Sequence, residues 1–370
     1  MPSECNDIIR KVLVLYTGGT IGMRKNEKGA YEPSPNAFIR KIRSIPQMHD
    51  EEFAKSYFGE ENSDELIIPH VHNDHIVVYL IKEYDPLYDS SNMSTKDWIR
   101  IAKDVEENYC KYDGFVILHG TDTLAYTASA LSFMLDGLQK PVIVTGAQIP
   151  IFENRSDAKG NFLSSLIIAG CFDIPEVCIF FANKLMRGNR TAKISSNLLD
   201  AFNSPNFHVL ANVGIHINVF QHYLFKSNSK PTLRVHTNLN SNIVLLPLFP
   251  TITSDMVQAF IHPSVEGVVL QSYGVGNVPS DRKDLLDVLK RAIERGVIII
   301  NITQCAQGAV SPSYETGRTL KEIGLLPGYD MTAEAALSKL SFVLGQGHLL
   351  LDEKKQLMLS NLRGELTVTD

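Results

Sequence analysis

Two short threonine-bearing segments carry the residues best suited to chemistry. The first is Thr17-Gly18-Gly19-Thr20-Ile21-Gly22, which closes the apolar run 11–16. Consecutive glycines let a backbone turn sharply and let a ligand come close. A dinucleotide loop would need the GxGxxG spacing and a phosphate loop would need a lysine; both are absent. What remains is a threonine hydroxyl on a tight turn at a strand end, the way an acyl-transfer nucleophile is displayed. The second segment is His119-Gly120-Thr121-Asp122-Thr123. Alone, a hydroxyl beside a carboxylate at a helix start reads as an N-cap. Paired with Thr20 on another strand end, it brings two hydroxyls and a carboxylate to one sheet edge. Lys193, in Arg187-Gly188-Asn189-Arg190-Thr191-Ala192-Lys193, is a candidate base. A lysine in a loop is usually a solvated charge; held near neutral by burial, it can take a proton from a threonine.

The elements that must position these groups alternate. Apolar runs at 11–16, 76–82, 115–118, 142–145 and 177–181 predict strands, the second ending near Asp85-Pro86. Ser94 with Asp97 predicts a capping box, followed by Trp98, Ile101, Ala102 and Val105 on a buried helical face. A further helix is expected over 124–135. Strand–helix alternation with continuously apolar strands predicts a parallel sheet covered on both faces, with ligands at the C-terminal ends of its strands. The fold class expected is α/β: a large N-terminal domain with a mostly parallel sheet (8–220) and a smaller C-terminal α/β domain (243–348). The polar stretch 221–242 reads as the linker between them and 349–370 as a short helical tail. In the second domain, strands are expected at 244–246, 267–270 and 297–300, and helices over 281–295 and 333–344.

The chain has 370 residues and a formal charge of −6, with 44% hydrophobic and 21% charged residues. That balance is globular and argues against a broad nucleic-acid or anionic-membrane footprint. No run is long enough to span a bilayer, and 12–16 is too short for a signal-peptide core, so a cytoplasmic location is expected. Five cysteines with no CxxC suit free thiols in a reducing compartment, where the Asn-x-Ser/Thr sequons stay unmodified. His70, His72 and His75 form H-x-H-x-x-H, but in a polar loop without a Glu-bearing helix; an incidental role is preferred and no metal is expected.

The motifs TGGTIG, DSSNM (Asp89 to Met93), HGTDT and TGAQ (Thr145 to Gln148), together with Lys193, resemble the L-asparaginases, most closely their cytosolic type I branch. The resemblance runs from about Val12 to Gly345. It implies hydrolysis of L-asparagine to L-aspartate and ammonia, with Thr20 as nucleophile and an acyl-enzyme intermediate. Thr121, Asp122 and Lys193 match the family's second triad, which relays protons. Asp122 would also bind the substrate ammonium, and Asp89, Ser90 and Ser91 its carboxylate. The N–H groups of Thr121 and Ala147 would form the oxyanion hole. Tyr31 is the one tyrosine in a polar loop, 24–33, that matches the family's lid. Asn277 matches an intersubunit contact, and Gln307 lies near the place where the secreted branch carries an acid. No cofactor is implied; a homodimer or homotetramer is. Competing readings are the ammonia-supplying subunit of a tRNA-dependent amidotransferase, a non-catalytic amino-acid sensor, and a lipid hydrolase. The acidic balance opposes the first, the complete polar set the second, and the lack of a GxSxG elbow the third.

Overall fold

The computed structural model describes residues 8–59, 63–226, 232–310, 320 and 322–367. Its centre is a sheet in the order β14-β13-β10-β9-β8-β6-β1-β5-β4. Five neighbours run parallel: β9 (Val177–Phe181), β8 (Val142–Thr145), β6 (Gly114–Leu118), β1 (Ile8–Gly18) and β5 (His75–Tyr88). Their residues alternate between two apolar layers. Val12, Val14 and Tyr16 enter one with Phe38 and Phe162, while Leu13 and Leu15 enter the other with Ile101 and Leu131. Both faces are therefore covered, as continuous apolar strands require. The first layer is closed by α1 (Ala37–Arg43) and α5 (Ala158–Cys171), the second by α3 (Thr95–Asn108) and α4 (Leu124–Met134). The Ser94–Asp97 capping box opens α3 as expected. The flanks are antiparallel: β4 (Leu66–Ile68), with α2 (Glu51–Phe58) packed on it, and the meander β10 (Lys184–Arg187), β13 (Ala211–Val213) and β14 (Ile217–Val219).

One strand differs from expectation. β5 does not stop at Asp85-Pro86 but runs on to Tyr88. Its outer neighbour β4 reaches only Val77 to Tyr79, so beyond that point the outer edge is open and a proline removes no ladder bond there. The extension pairs Tyr88 with Gly18 and delivers Asp89 beside the Thr20 turn.

The second sheet, β16 (Ile243–Pro247), β17 (Gly267–Ser272), β18 (Ile298–Thr303) and β19 (Leu326–Pro327), is entirely parallel. Helices α6 (Ser254–Phe260) and α7 (Lys283–Glu294) cover one face and α8 (Ala333–Leu344) the other, followed by α9 (Leu351–Leu359). Three short ladders complete the described strands: β2 (Met23–Lys25) with β3 (Tyr31–Pro33), β11 (Ala192–Lys193) with β12 (Phe202–Asn203), and β7 (Leu135–Asp136) with β15 (Arg234–Val235). The last ladder draws part of the 221–242 stretch onto the first domain. Helix α4 is buried all round because it lies between the first sheet and α8, with the Phe133 and Phe342 rings stacked at 6.0 Å. Lys339 and Glu365, both 0% exposed, form an ion pair at 2.6 Å that pins the chain after α9 beneath α8.

Candidate functional site

Three segments meet at the C-terminal ends of β1, β5 and β6, and glycines make the meeting possible. A Cβ on Gly18 would lie 2.2 Å from the Tyr88 carbonyl oxygen, and one on Gly120 would lie 2.4 Å from Ser90 Oγ. Gly19, at φ 85°, packs so closely on Gly120 that a Cβ would come within 2.4 Å of its N and Cα. The Thr20 turn is thus in backbone contact with the end of β5 and with the Thr121 turn, and the Ser90 side chain packs on Gly120. Hydrogen bonds hold them: Gly19 N–H donates to Tyr88 O at 3.2 Å, and Thr123 Oγ1 donates to Ser90 O at 2.7 Å. Asp89 is exposed, and its carboxylate accepts from Ser91 N at 3.1 Å, so it shapes its own turn.

Lys193 reaches this cluster indirectly. The antiparallel β10 leads away from the site edge, and the chain returns across α4, where Gly188 packs against Ala128. That return carries two buried arginines. Arg187 pairs with Glu176, and Arg190 pairs with Asp330 at 2.8 Å while donating from Nε to Gly364 O at 2.7 Å. The segment before Lys193 is therefore clamped from both domains. Lys193 Nζ then lies 2.9 Å from Thr121 Oγ1 and 2.7 Å from Asp122 Oδ1. Thr121 is 6% exposed, whereas the Asp122 side chain is 66% exposed, leaving its outer oxygen open to a ligand.

Support comes from residues that sequence reasoning did not single out. Thr121 Oγ1 donates to Gln148 Oε1 at 3.2 Å. The Gln148 and Ile149 N–H groups both donate to the Asp157 carboxylate, which also accepts from Asn161 Nδ2. Gln148 was visible within TGAQ, but Asp157 and Asn161 stand at an ordinary helix start. Beneath the turn, His119 is 1% exposed; burial pushes its pKa down to about 4, so the ring is neutral. Its Nδ1 is 2.7 Å from Gly120 O and its Nε2 is 2.9 Å from Thr127 Oγ1, which accepts from Trp98 Nε1 at 3.0 Å.

The remaining predicted residues are spread more widely. Tyr31 lies on the β2–β3 hairpin, 43% exposed, and its hydroxyl donates to Glu153 Oε1 at 3.1 Å. Ala147 follows β8 and is 0% exposed, closed to solvent in this arrangement. Asn277 stands in the other domain, in the turn after β17, exchanging backbone hydrogen bonds with Tyr273. Gln307 is exposed after β18. His72 and His75 stack on one another, and His75 Nδ1 bonds the His72 carbonyl; among the described residues no cluster is arranged to hold a metal ion. Nor is any described helix long and apolar enough to cross a membrane.

The two-domain α/β fold, with threonine turns at the strand ends of the larger sheet, is the frame in which comparison with known proteins places the chain. Residues 11–224 match the model of the N-terminal asparaginase domain and residues 242–358 that of the glutaminase/asparaginase C-terminal domain. The chain belongs to the asparaginase family. It is 49% identical to an L-asparaginase of Dirofilaria immitis over 96% of its own length and 60% of that protein's. It is 45% identical to a human 60 kDa lysophospholipase over 97% of its length and 62% of that protein's. The chain thus spans about three-fifths of these relatives. A solved structure, L-asparaginase I of Vibrio cholerae, superposes with a TM-score of 0.83 at 41% identity, covering 97% of this chain and 100% of that one.

Proposed function

We propose that the chain hydrolyses L-asparagine to L-aspartate and ammonia through a threonine acyl-enzyme, without a cofactor. The observation that carries this reading is the Lys193–Thr121–Asp122 cluster, held in backbone contact with the Thr20 turn. Thr20 Oγ1 attacks the side-chain amide carbon, and its proton passes through the Thr121 hydroxyl to Lys193. The oxyanion forms opposite the N–H groups of Thr121 and Ala147, the latter once substrate entry uncovers it. The same proton moves to the leaving nitrogen, ammonia departs, and an ester remains on Thr20. Water attacks that ester, the relay returns a proton to Thr20 Oγ, and aspartate leaves. Asp122 offers its outer oxygen to the substrate ammonium, and the Ser90–Ser91 turn receives the carboxylate. Tyr31 closes over the site if it exchanges Glu153 for substrate.

The proposed setting is the cytosol, and the proposed assembly is a homodimer or homotetramer in which Asn277 faces a second copy. The test is ammonia release by the purified chain from L-asparagine and L-glutamine, with lysophosphatidylcholine hydrolysis in parallel because of the name one relative carries. Strong preference for asparagine supports the proposal. Glutamine turnover at comparable kcat/KM, or ester cleavage without amide cleavage, overturns it.

A further inference from the structure

The Gly120 carbonyl oxygen can only accept a hydrogen bond, so the proton between it and His119 is on Nδ1. A neutral ring then leaves Nε2 as an acceptor, which the Thr127 hydroxyl must serve by donating. The Thr127 oxygen is free to accept from the Trp98 indole, and it does. Every polar atom in this chain has one consistent role, and Thr127 is 0% exposed, so water does not compete. The network therefore selects one tautomer and fixes the ring.

Its target is the Gly120–Thr121 peptide. That bond is trans, so its C=O and N–H point in opposite directions. The carbonyl is drawn inward to the buried imidazole, which turns the Thr121 N–H outward, and among the described residues nothing accepts from it. The Gly19–Thr20 turn packs on the adjoining His119–Gly120 peptide, and the Thr121 hydroxyl meets Lys193, so the Gly120–Thr121 peptide lies between the two.

We propose that His119 is a positioning residue: its Nδ1–H, held by Thr127 and Trp98, locks the Gly120–Thr121 peptide so that the Thr121 N–H faces the developing oxyanion. The inference rests on the hydrolytic reading above and deepens it. The imidazole never touches substrate and moves no proton. It acts through the plane of one peptide.

The test compares His119→Leu with His119→Asn. Asparagine places an amide N–H close to the position of Nδ1 and can restore the bond to Gly120. His119→Leu is expected to lose about 10–10²-fold in kcat, a part of what removal of an oxyanion donor costs, with KM nearly unchanged. His119→Asn is expected to recover most of that loss. Thr127→Val, which keeps the imidazole and the volume, serves if the leucine variant does not fold. Nitrogen-15 shifts should show Nδ1–H in the wild type, and Thr127→Val, which frees Nε2 and loosens the ring, should reduce kcat severalfold. Wild-type kcat in His119→Leu, equal losses in the leucine and asparagine variants, or an Nε2–H tautomer in the active wild type would each overturn the inference. Inactivity of the wild type toward asparagine would instead remove the functional reading on which it stands.

Discussion

A methyl group at Gly19 has no room. The residue sits at φ 85°, and an added Cβ would lie 2.4 Å from both N and Cα of Gly120 and 2.8 Å from the His119 carbonyl carbon. All three neighbours are backbone, so no rotamer change relieves the contact. Ordinary van der Waals contact begins at 3.4 Å, so the two turns must separate by about 1 Å in Gly19→Ala. At φ 85° and ψ 173° the backbone lies in a region essentially confined to glycine, which costs a residue with a Cβ about 1–3 kcal/mol. Overpacking adds about 1–3 kcal/mol, for a total loss of about 2–6 kcal/mol. A 1 Å shift between Thr20 and Thr121 is of the size that costs about 10²-fold in rate. Gly160→Ala is the control: it lies in α5 with nothing within 4 Å of its Cβ position, and helix propensity favours alanine by up to about 1 kcal/mol. Urea unfolding and steady-state ammonia release measure both effects. If Gly19→Ala kept an unchanged unfolding midpoint and turnover within a fewfold of wild type, the backbone contact would not be what aligns the two threonines.

Three further outcomes are expected. Lys193→Met keeps the stem and removes the amine, so kcat should fall by about 10²–10⁴, a typical general-base contribution; an unchanged pH–rate profile would reduce Lys193 to a structural charge. Glu365→Ala leaves Lys339 charged and unpaired at 0% exposure and should cost about 3–5 kcal/mol in denaturant unfolding; a loss below 1 kcal/mol would show that the carbonyls of Met358 and Ser360 suffice for it. His119 remains neutral in the fold down to about pH 4, against an ordinary value of 6.5, mainly through burial and against the smaller pulls of the Gly120 carbonyl and Asp97. As pH falls from 6.5 to about 4, the unfolded chain takes up a proton that the folded chain refuses, so stability declines through that window by about 3 kcal/mol. Unfolding curves across it should be correspondingly flatter for His119→Asn, and identical slopes would contradict the buried neutral ring.

The strands that carry the site were legible because a sheet covered on both faces needs unbroken apolar runs, and 115–118, 142–144 and 177–181 have nothing else in them. The extension of β5 to Tyr88 was not, because a proline stops a strand only when a neighbour needs its N–H, and that depends on where β4 ends. Thr20, Thr121, Asp122 and Lys193 announced themselves through motif spacing. Their supports did not: Thr127 and Trp98 lie on two helices, α4 and α3, far in sequence from the end of β6 that carries His119, and Asp157 looks like any acid at a helix start. What holds Lys193 in place was not legible: the buried Arg187 and Arg190 ahead of it are anchored to Glu176, Asp330 and the carbonyl of Gly364, all distant in sequence or on another domain. Glu365, among the last residues and charged, gives no local sign of being buried; only its partner in α8 explains it.

The most direct test of the account is to quench the enzyme during turnover of L-asparagine, digest it, and locate the covalent aspartyl group by fragment-ion mass spectrometry. The peptide running from Val12 to Arg24 contains Thr17 and Thr20, so the fragments must separate the two. The prediction is an aspartyl ester on Thr20, more abundant in Lys193→Met if that variant still acylates but deacylates slowly, and absent from a folded Thr20→Ala protein that no longer releases ammonia. An ester on Thr121 or Thr17, or sustained ammonia release by Thr20→Ala, would contradict the assignment of Thr20 as the nucleophile.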